Sequence, residues 1–223
     1  MEHLIIGCSY IRDADRLGIL EKYFGNDTKV IGQDGCGNDF ISQQTLRELQ
    51  YEHANYFIMF TGINRTSVQV PWNDQNHNVL YDGYPYRCPV GDVLHVFSGG
   101  HDNIPKNKNG EPIPLSDTFK NRSSDNSNSF YNDYSLYHIF NCVSTLHDHN
   151  VNFKYTFIYN GENEHEYSLG KIDKSNWFYE NLNKQNMIDL TPYEFCVREN
   201  LLQEDNFHPS KEGWDSYFQS IDI

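Results

Sequence analysis

The sequence predicts an α/β fold in which a parallel sheet of about five strands is wrapped by helices on both faces, with a long insertion after the third strand. Two observations predict it: short apolar runs alternate with segments of helical periodicity, and that alternation breaks down over a single long polar stretch. Parallel neighbours need crossover connections, which are usually helical, so the alternation itself implies the parallel sheet.

The first run, Leu4-Ile5-Ile6, stops at Gly7 and reads as a buried strand feeding a loop. A helix is expected from Asp13 to Phe24, because Leu17, Leu20 and Phe24 recur at spacings of three and four and Asp13 can cap it. Lys29-Val30-Ile31 gives a second short strand, and the helix after the glycine-rich stretch carries Phe40, Ile41, Leu46 and Leu49 between Asp39 and Tyr51. Tyr56 to Phe60 is the strongest strand in the chain. From Asn64 to Asn132 the pattern dissolves into Asn, Asp, Gly, Pro and Ser, so residues 66–130 are expected to form an inserted subdomain or lid within one domain spanning 1–223. Periodicity returns with a helix over Tyr131 to His149, a fourth strand over Phe153 to Tyr159, a short fifth strand over Met187 to Leu190 and a last helix after Pro209.

Composition narrows the function. A formal net charge of -14 repels phosphate backbones, and no Lys/Arg cluster counters it, which argues against nucleic-acid binding and disfavours anionic substrates. No apolar run is long enough to span a bilayer, and the start has no leader-like pattern, so a cytoplasmic, membrane-free protein is expected, with association to a virion as the alternative. Five cysteines without a CxxC pair indicate neither a disulfide framework nor a zinc ribbon. His147-Asp148-His149 has the composition of a metal site, but residues two apart on a helix do not share a face, so neither metal nor other cofactor is expected.

In an open parallel sheet the ligand crevice lies beyond the carboxyl ends of the strands. Gly7-Cys8-Ser9-Tyr10 follows the first strand, Gly35-Cys36-Gly37-Asn38 the second and Thr61-Gly62-Ile63-Asn64 the third, while Asp205-Asn206-Phe207-His208-Pro209 precedes the last helix. A serine at a strand-to-helix turn offers a hydroxyl nucleophile and a backbone N–H to the same space. It needs a base near neutrality, for which His208 is the candidate, and Asp205 is placed to fix that imidazole's tautomer. The Ser9 and Gly35 N–H groups and the Asn64 amide are candidate donors to a tetrahedral oxyanion. Cys8 could offer a thiolate, but neighbours at a strand end point in opposite directions, so Cys8 is expected to pack inward if Ser9 faces the crevice.

These segments, in this order, resemble the blocks of the SGNH (GDSL-type) hydrolase superfamily. Gly7-Cys8-Ser9 is similar to the block carrying the nucleophile, Gly32-Gln33-Asp34-Gly35 to the glycine block, Gly62-Ile63-Asn64 to the asparagine block, and Asp205 to His208 to the block carrying acid and base. The resemblance implies a three-layer α/β/α sandwich related to flavodoxins. It also implies metal-free hydrolysis of acetyl or short acyl esters, often on carbohydrates, with Ser9, Asp205 and His208 as triad and Ser9, Gly35 and Asn64 as oxyanion hole. Cys8 stands where the family usually has Asp, Arg65 follows Asn64 where Asp is usual, and the Gly-Cys-Ser start resembles divergent members encoded by tailed bacteriophages. Tyr10 and Arg65, each next to a block, Asn38, three residues after the glycine block, and Trp72 of the insertion are expected to contact an ester or acetylated-glycan substrate. The alternative is an SGNH-fold glycan-binding or virion module without efficient chemistry. A nucleotide-binding reading lacks a phosphate-cradling loop, since Gly32 to Gly37 does not follow GxGxxG.

Overall fold

The computed structural model of the chain describes residues 2–72, 87–97, 106–118, 128–159 and 171–221. In chain order the elements are β1 (His3–Gly7), α1 (Ser9–Arg16), α2 (Ile19–Phe24), β2 (Thr28–Gly32), α3 (Asn38–Glu48), β3 (Asn55–Phe60), β4 (Ser67–Pro71), β5 (Arg87–Val90), β6 (Val93–Phe97), α4 (Asn128–Asp148), β7 (Phe153–Phe157), α5 (Trp177–Glu180), α6 (Pro192–Glu199) and α7 (Lys211–Ser220).

Four strands make one parallel sheet in the order β2-β1-β3-β7. The central strands are apolar without alternation because both faces are covered: Leu4, Ile5, Ile6, Ile58, Met59 and Phe60 have no exposed surface. Successive side chains of β3 serve opposite layers. Phe57 packs on Phe24 of α2 and Phe218 of α7, with ring centroids 5.6 and 5.8 Å away, whereas the Tyr56 hydroxyl donates to the Glu48 carbonyl of α3. α1, α2, α6 and α7 thus associate on one side of the sheet, and α3 with α4 on the other.

Several boundaries differ from expectation for local reasons. The first helix begins at Ser9 rather than Asp13 and is cut in two at Gly18, whose φ of 71° is left-handed, so Asp13 lies inside α1 and caps nothing. The expected fifth strand shrinks to one parallel bridge between Met187 and Tyr155, reinforced by the Ile188 N–H donating to the Tyr155 carbonyl at 2.8 Å. Between that bridge and the last helix the chain forms a further helix, α6, for which no element is expected from the sequence. Its start is capped by Thr191, whose hydroxyl accepts from the Glu194 N–H and donates to the Glu194 carboxylate, with Pro192 in the first turn.

Within 66–130, β4, β6 and β5 form an antiparallel sheet with a small apolar cluster of its own, Leu94, Val96 and Ile113, against which Val68, Val70, Trp72 and Leu115 pack. This sheet is docked on α3 through Phe40, whose ring lies 5.0 Å from Phe97 and 5.1 Å from His95. Asp39 of the same helix accepts from the Ser67 N–H and hydroxyl at 2.9 and 2.6 Å and from the Tyr134 hydroxyl at 3.1 Å.

Burial pushes the imidazoles of His95 and His138 below their ordinary range; Asp39 opposes this at both, and Arg47 adds to it at His95. Unfolded, each takes up a proton near about pH 6.5, while the folded form resists until lower pH. The unfolded state therefore binds more protons in that interval, and stability is lost as pH falls through it. We expect the urea midpoint to drop on going from about pH 7.5 to about pH 5.5 and His95→Gln to flatten the drop. An unchanged pH slope in the variant would remove His95 from this account.

Candidate active site

The chain passes from β1 to β2 on one side and then to β3 on the other side of β1, so its direction reverses between β1 and β3. The crevice of an open parallel sheet opens at that point, and the first and third sequence blocks lie just beyond it. Ser9 opens α1, and Cys8, in an extended conformation, is the N-cap residue without a side-chain cap bond. The N–H groups of a first helical turn have no intrahelical acceptor, which leaves that of Ser9 for a ligand. Cys8 is wholly buried and turned into the core, whereas Ser9 is half-buried.

The base arrives from the other end of the chain. The segment before α7 folds back on itself: Gln203 N–H donates to the His208 carbonyl at 2.7 Å, Asn206 N–H donates to the Gln203 carbonyl at 2.9 Å, and Asn206 takes a left-handed φ of 55°. Asp205 Oδ1 accepts the N–H groups of Phe207 and His208, both at 2.9 Å, and Oδ2 lies 2.6 Å from His208 Nδ1. His208 Nε2 lies 3.2 Å from Ser9 Oγ. An ionised carboxylate only accepts, so Nδ1 carries the proton toward Asp205 and Nε2 is left as acceptor for the serine hydroxyl. Burial raises the Asp205 carboxyl, but the hydrogen bonds from the His208 ring and from the His208 and Phe207 N–H groups outweigh it and hold the carboxyl below its ordinary range.

Gln203, which lies outside the four sequence blocks, and two aromatic neighbours hold this turn in place. The Gln203 amide donates to Asp13 of α1 at 3.0 Å and to the Pro209 carbonyl at 2.9 Å, coupling the base-bearing turn to the nucleophile's helix. Tyr10 and Phe207 flank the imidazole, with their rings centred 5.2 and 4.9 Å from it, and Trp214 packs edge-on against Tyr10 at 5.8 Å. The aromatic between Asp205 and His208 was a usable signal for such a clamp.

Gly35 is buried with a φ of 67°, a conformation that favours glycine, in the loop between β2 and α3. That loop is pinned on both sides: Asp34 pairs with Arg12 of α1, and Gly37 lies so close to the Arg65 carbonyl that a Cβ there would come within 2.4 Å of it. Asn64 is half-buried, and its Oδ1 is sealed from solvent without a partner among the described residues, which leaves Nδ2 as the end able to meet a ligand.

Two of the expected substrate contacts need correction. Tyr10 is wholly buried and its hydroxyl donates to the Phe207 carbonyl at 2.5 Å, so it positions the His208 turn rather than facing the crevice. Asn38 is equally buried and clamps α3 to the end of β3, donating to the Thr61 carbonyl at 3.1 Å and accepting from the Thr61 N–H at 2.8 Å. Trp72 packs on the insertion's apolar cluster. Tyr81, Tyr84 and Tyr86, aromatics of the insertion that could stack on a sugar, lie outside the described residues. Arg65 is 6% exposed beside Asn64.

Ser9, His208 and Asp205 form a hydroxyl–imidazole–carboxylate relay, a constellation suited to acyl transfer. No protein-family model and no curated protein matches the chain.

Proposed function

We propose that the protein is a serine esterase of the SGNH kind that hydrolyses acetyl or short acyl esters, with an O-acetylated carbohydrate as substrate. The observation that carries this reading is the relay itself: Ser9 Oγ to His208 Nε2 at 3.2 Å and His208 Nδ1 to Asp205 Oδ2 at 2.6 Å, joining residues 199 positions apart. Ser9 attacks the ester carbonyl while His208 takes its proton, and the oxyanion is received by the N–H groups of Ser9 and Gly35 and by Asn64 Nδ2. His208 then gives the proton to the departing alcohol, leaving an acyl-serine. Water attacks the acyl carbon, again losing a proton to His208, and the acid leaves as Ser9 recovers its hydrogen.

A fluorophosphonate probe reacts with a serine only when base and oxyanion donors act together. We expect stoichiometric labelling of the folded protein and none in Ser9→Ala or His208→Ala. Folded wild type that resists the probe would reject the esterase and favour a glycan-binding module on the same fold.

A further inference from the structure

Asp13 has the look of a helix cap in the sequence and the surroundings of a site residue in the fold. It lies four residues after Ser9 in α1, so the two side chains leave the helix on one face, a single turn apart. Among the described residues its half-buried carboxylate accepts one hydrogen bond, from the Gln203 amide at 3.0 Å. The same amide nitrogen donates to the Pro209 carbonyl at 2.9 Å. Both neighbours are acceptors and the nitrogen carries two hydrogens, so each acceptor has its own and the amide is fixed in orientation.

Gln203 also closes the turn that bears the base. Leu202 and Pro209 form an antiparallel bridge, the Gln203 N–H donates to the His208 carbonyl at 2.7 Å, and the Ser210 N–H donates to the Leu201 carbonyl at 2.8 Å. Residues 201–210 are therefore a hairpin whose internal bonds keep Asp205 and His208 together wherever the hairpin goes. Those bonds do nothing to hold it against α1. Attachment to α1 brackets His208: the Phe207 carbonyl accepts from Tyr10, and the Pro209 carbonyl is tied through the Gln203 amide to Asp13. Ser9 Oγ and His208 Nε2 stand 3.2 Å apart, at the outer end of a hydrogen-bond reach of about 2.6–3.2 Å, so a small swing of the hairpin parts them.

We propose that Asp13 and Gln203 are positioning residues, and that the bond between them sets the approach of His208 to Ser9 without either side chain touching substrate. The effect of that bond on turnover rests on the esterase reading, while the placing of the imidazole does not. A hydrogen bond to a carboxylate is stronger than one between neutral groups, which suits a strap between parts of the chain that are far apart in sequence. Tyr10 is wholly buried among aromatic rings, so removing it would damage the core. Asp13 and Gln203 are half-buried and can be changed with the core intact.

The test uses the full chain and begins with kinetics on 4-nitrophenyl acetate. Gln203→Leu, which keeps the bulk and removes the donor, and Asp13→Ala are each expected to lower kcat at least about tenfold at nearly unchanged KM, since a displacement of about 1 Å can cost about a hundredfold. The double variant is expected to fall no further than Gln203→Leu, because both changes break one bond. Asp13→Asn, whose carbonyl oxygen still accepts from Gln203, is expected to recover most of the loss. A strap of purely structural value would lower the urea midpoint and leave kcat of the folded enzyme where it was. A second readout needs no turnover: the nitrogen NMR shift of His208 Nε2, with Ser9→Ala giving the value for an imidazole that has lost the serine. Gln203→Leu and Asp13→Ala are expected to move toward that value and Asp13→Asn to stay with wild type. Unchanged kcat in both variants, losses that multiply in the double variant, or Nε2 shifts that stay at the wild-type value would each overturn the assignment. So would an Asp13→Asn as impaired as Asp13→Ala, which would make the charge responsible and not the bond. Wild type that neither labels with a fluorophosphonate nor hydrolyses the ester would reject the esterase reading alone, and the Nε2 shifts would still decide the positioning.

Discussion

Replacing Ser9 with alanine is expected to lower kcat/KM for short acetyl esters by on the order of 10⁴-fold or more, with His208→Ala close behind. On the esterase reading the serine Oγ bonds to the acyl carbon, and the imidazole 3.2 Å away is its one candidate base among the described residues. Losing either member stops the same step, so the double variant is expected to fall little below the worse single one. The residual rate should reflect the oxyanion donors, which neither substitution touches. Steady-state hydrolysis of 4-nitrophenyl acetate, followed with acetylated sugars, checks this. Ser9→Ala retaining a tenth of the wild-type rate would place the nucleophile elsewhere. Cys8 is poorly placed to take over, since its side chain is wholly buried in the core.

Apolar runs made the parallel strands legible because a strand covered on both faces must be apolar throughout, as Leu4 to Ile6 and Tyr56 to Phe60 are. Helix starts were less legible. α1 begins at Ser9 with Cys8 at its cap, and a cysteine makes none of the side-chain cap bonds by which a start is recognised. Asp13 offered the usual signal but sits inside the helix. The start of α6 is marked in the sequence by Thr191-Pro192 and Glu194, a cap signature that directly follows the expected fifth strand. The four site segments could be read because each follows a strand or precedes a helix at the same end of the sheet.

The side chains next to those segments could not be assigned from spacing. On a helix, adjacent residues diverge by a large angle, so the neighbour of a crevice residue usually faces the interior. Tyr10 and Asn38 do so, and both hold the site's framework instead of lining it. Arg65 is buried too, yet differs from them in one respect. Tyr10 and Asn38 have partners inside the fold, and the sealed nitrogens of Arg65 have none among the described residues.

Asp205→Asn tests the remaining member of the relay, and a loss on the order of 10⁴-fold is expected although the fold is kept. Asparagine can still accept the Phe207 and His208 N–H groups through its carbonyl oxygen, where Asp205 Oδ1 accepts them at 2.9 Å. Its amide nitrogen then faces His208 Nδ1, where Oδ2 stood at 2.6 Å. A donor there favours the tautomer with Nδ1 bare and Nε2 protonated, and a protonated Nε2 cannot take the hydrogen of Ser9. The carboxylate also stabilises the imidazolium that forms when the serine attacks, which an amide does not. Because the Asp205 side chain is 46% exposed, little stability is at stake, and the unfolding free energy from a urea titration should change by less than about 1 kcal/mol. The carboxyl is held below its ordinary range, so it remains ionised as pH falls past the value at which a free aspartate takes up its proton. Wild type should therefore keep an ionised partner for His208 in mild acid, while Asp205→Asn should be impaired at every pH. Near-normal turnover in Asp205→Asn would mean that the 2.6 Å contact orients the loop and not the proton.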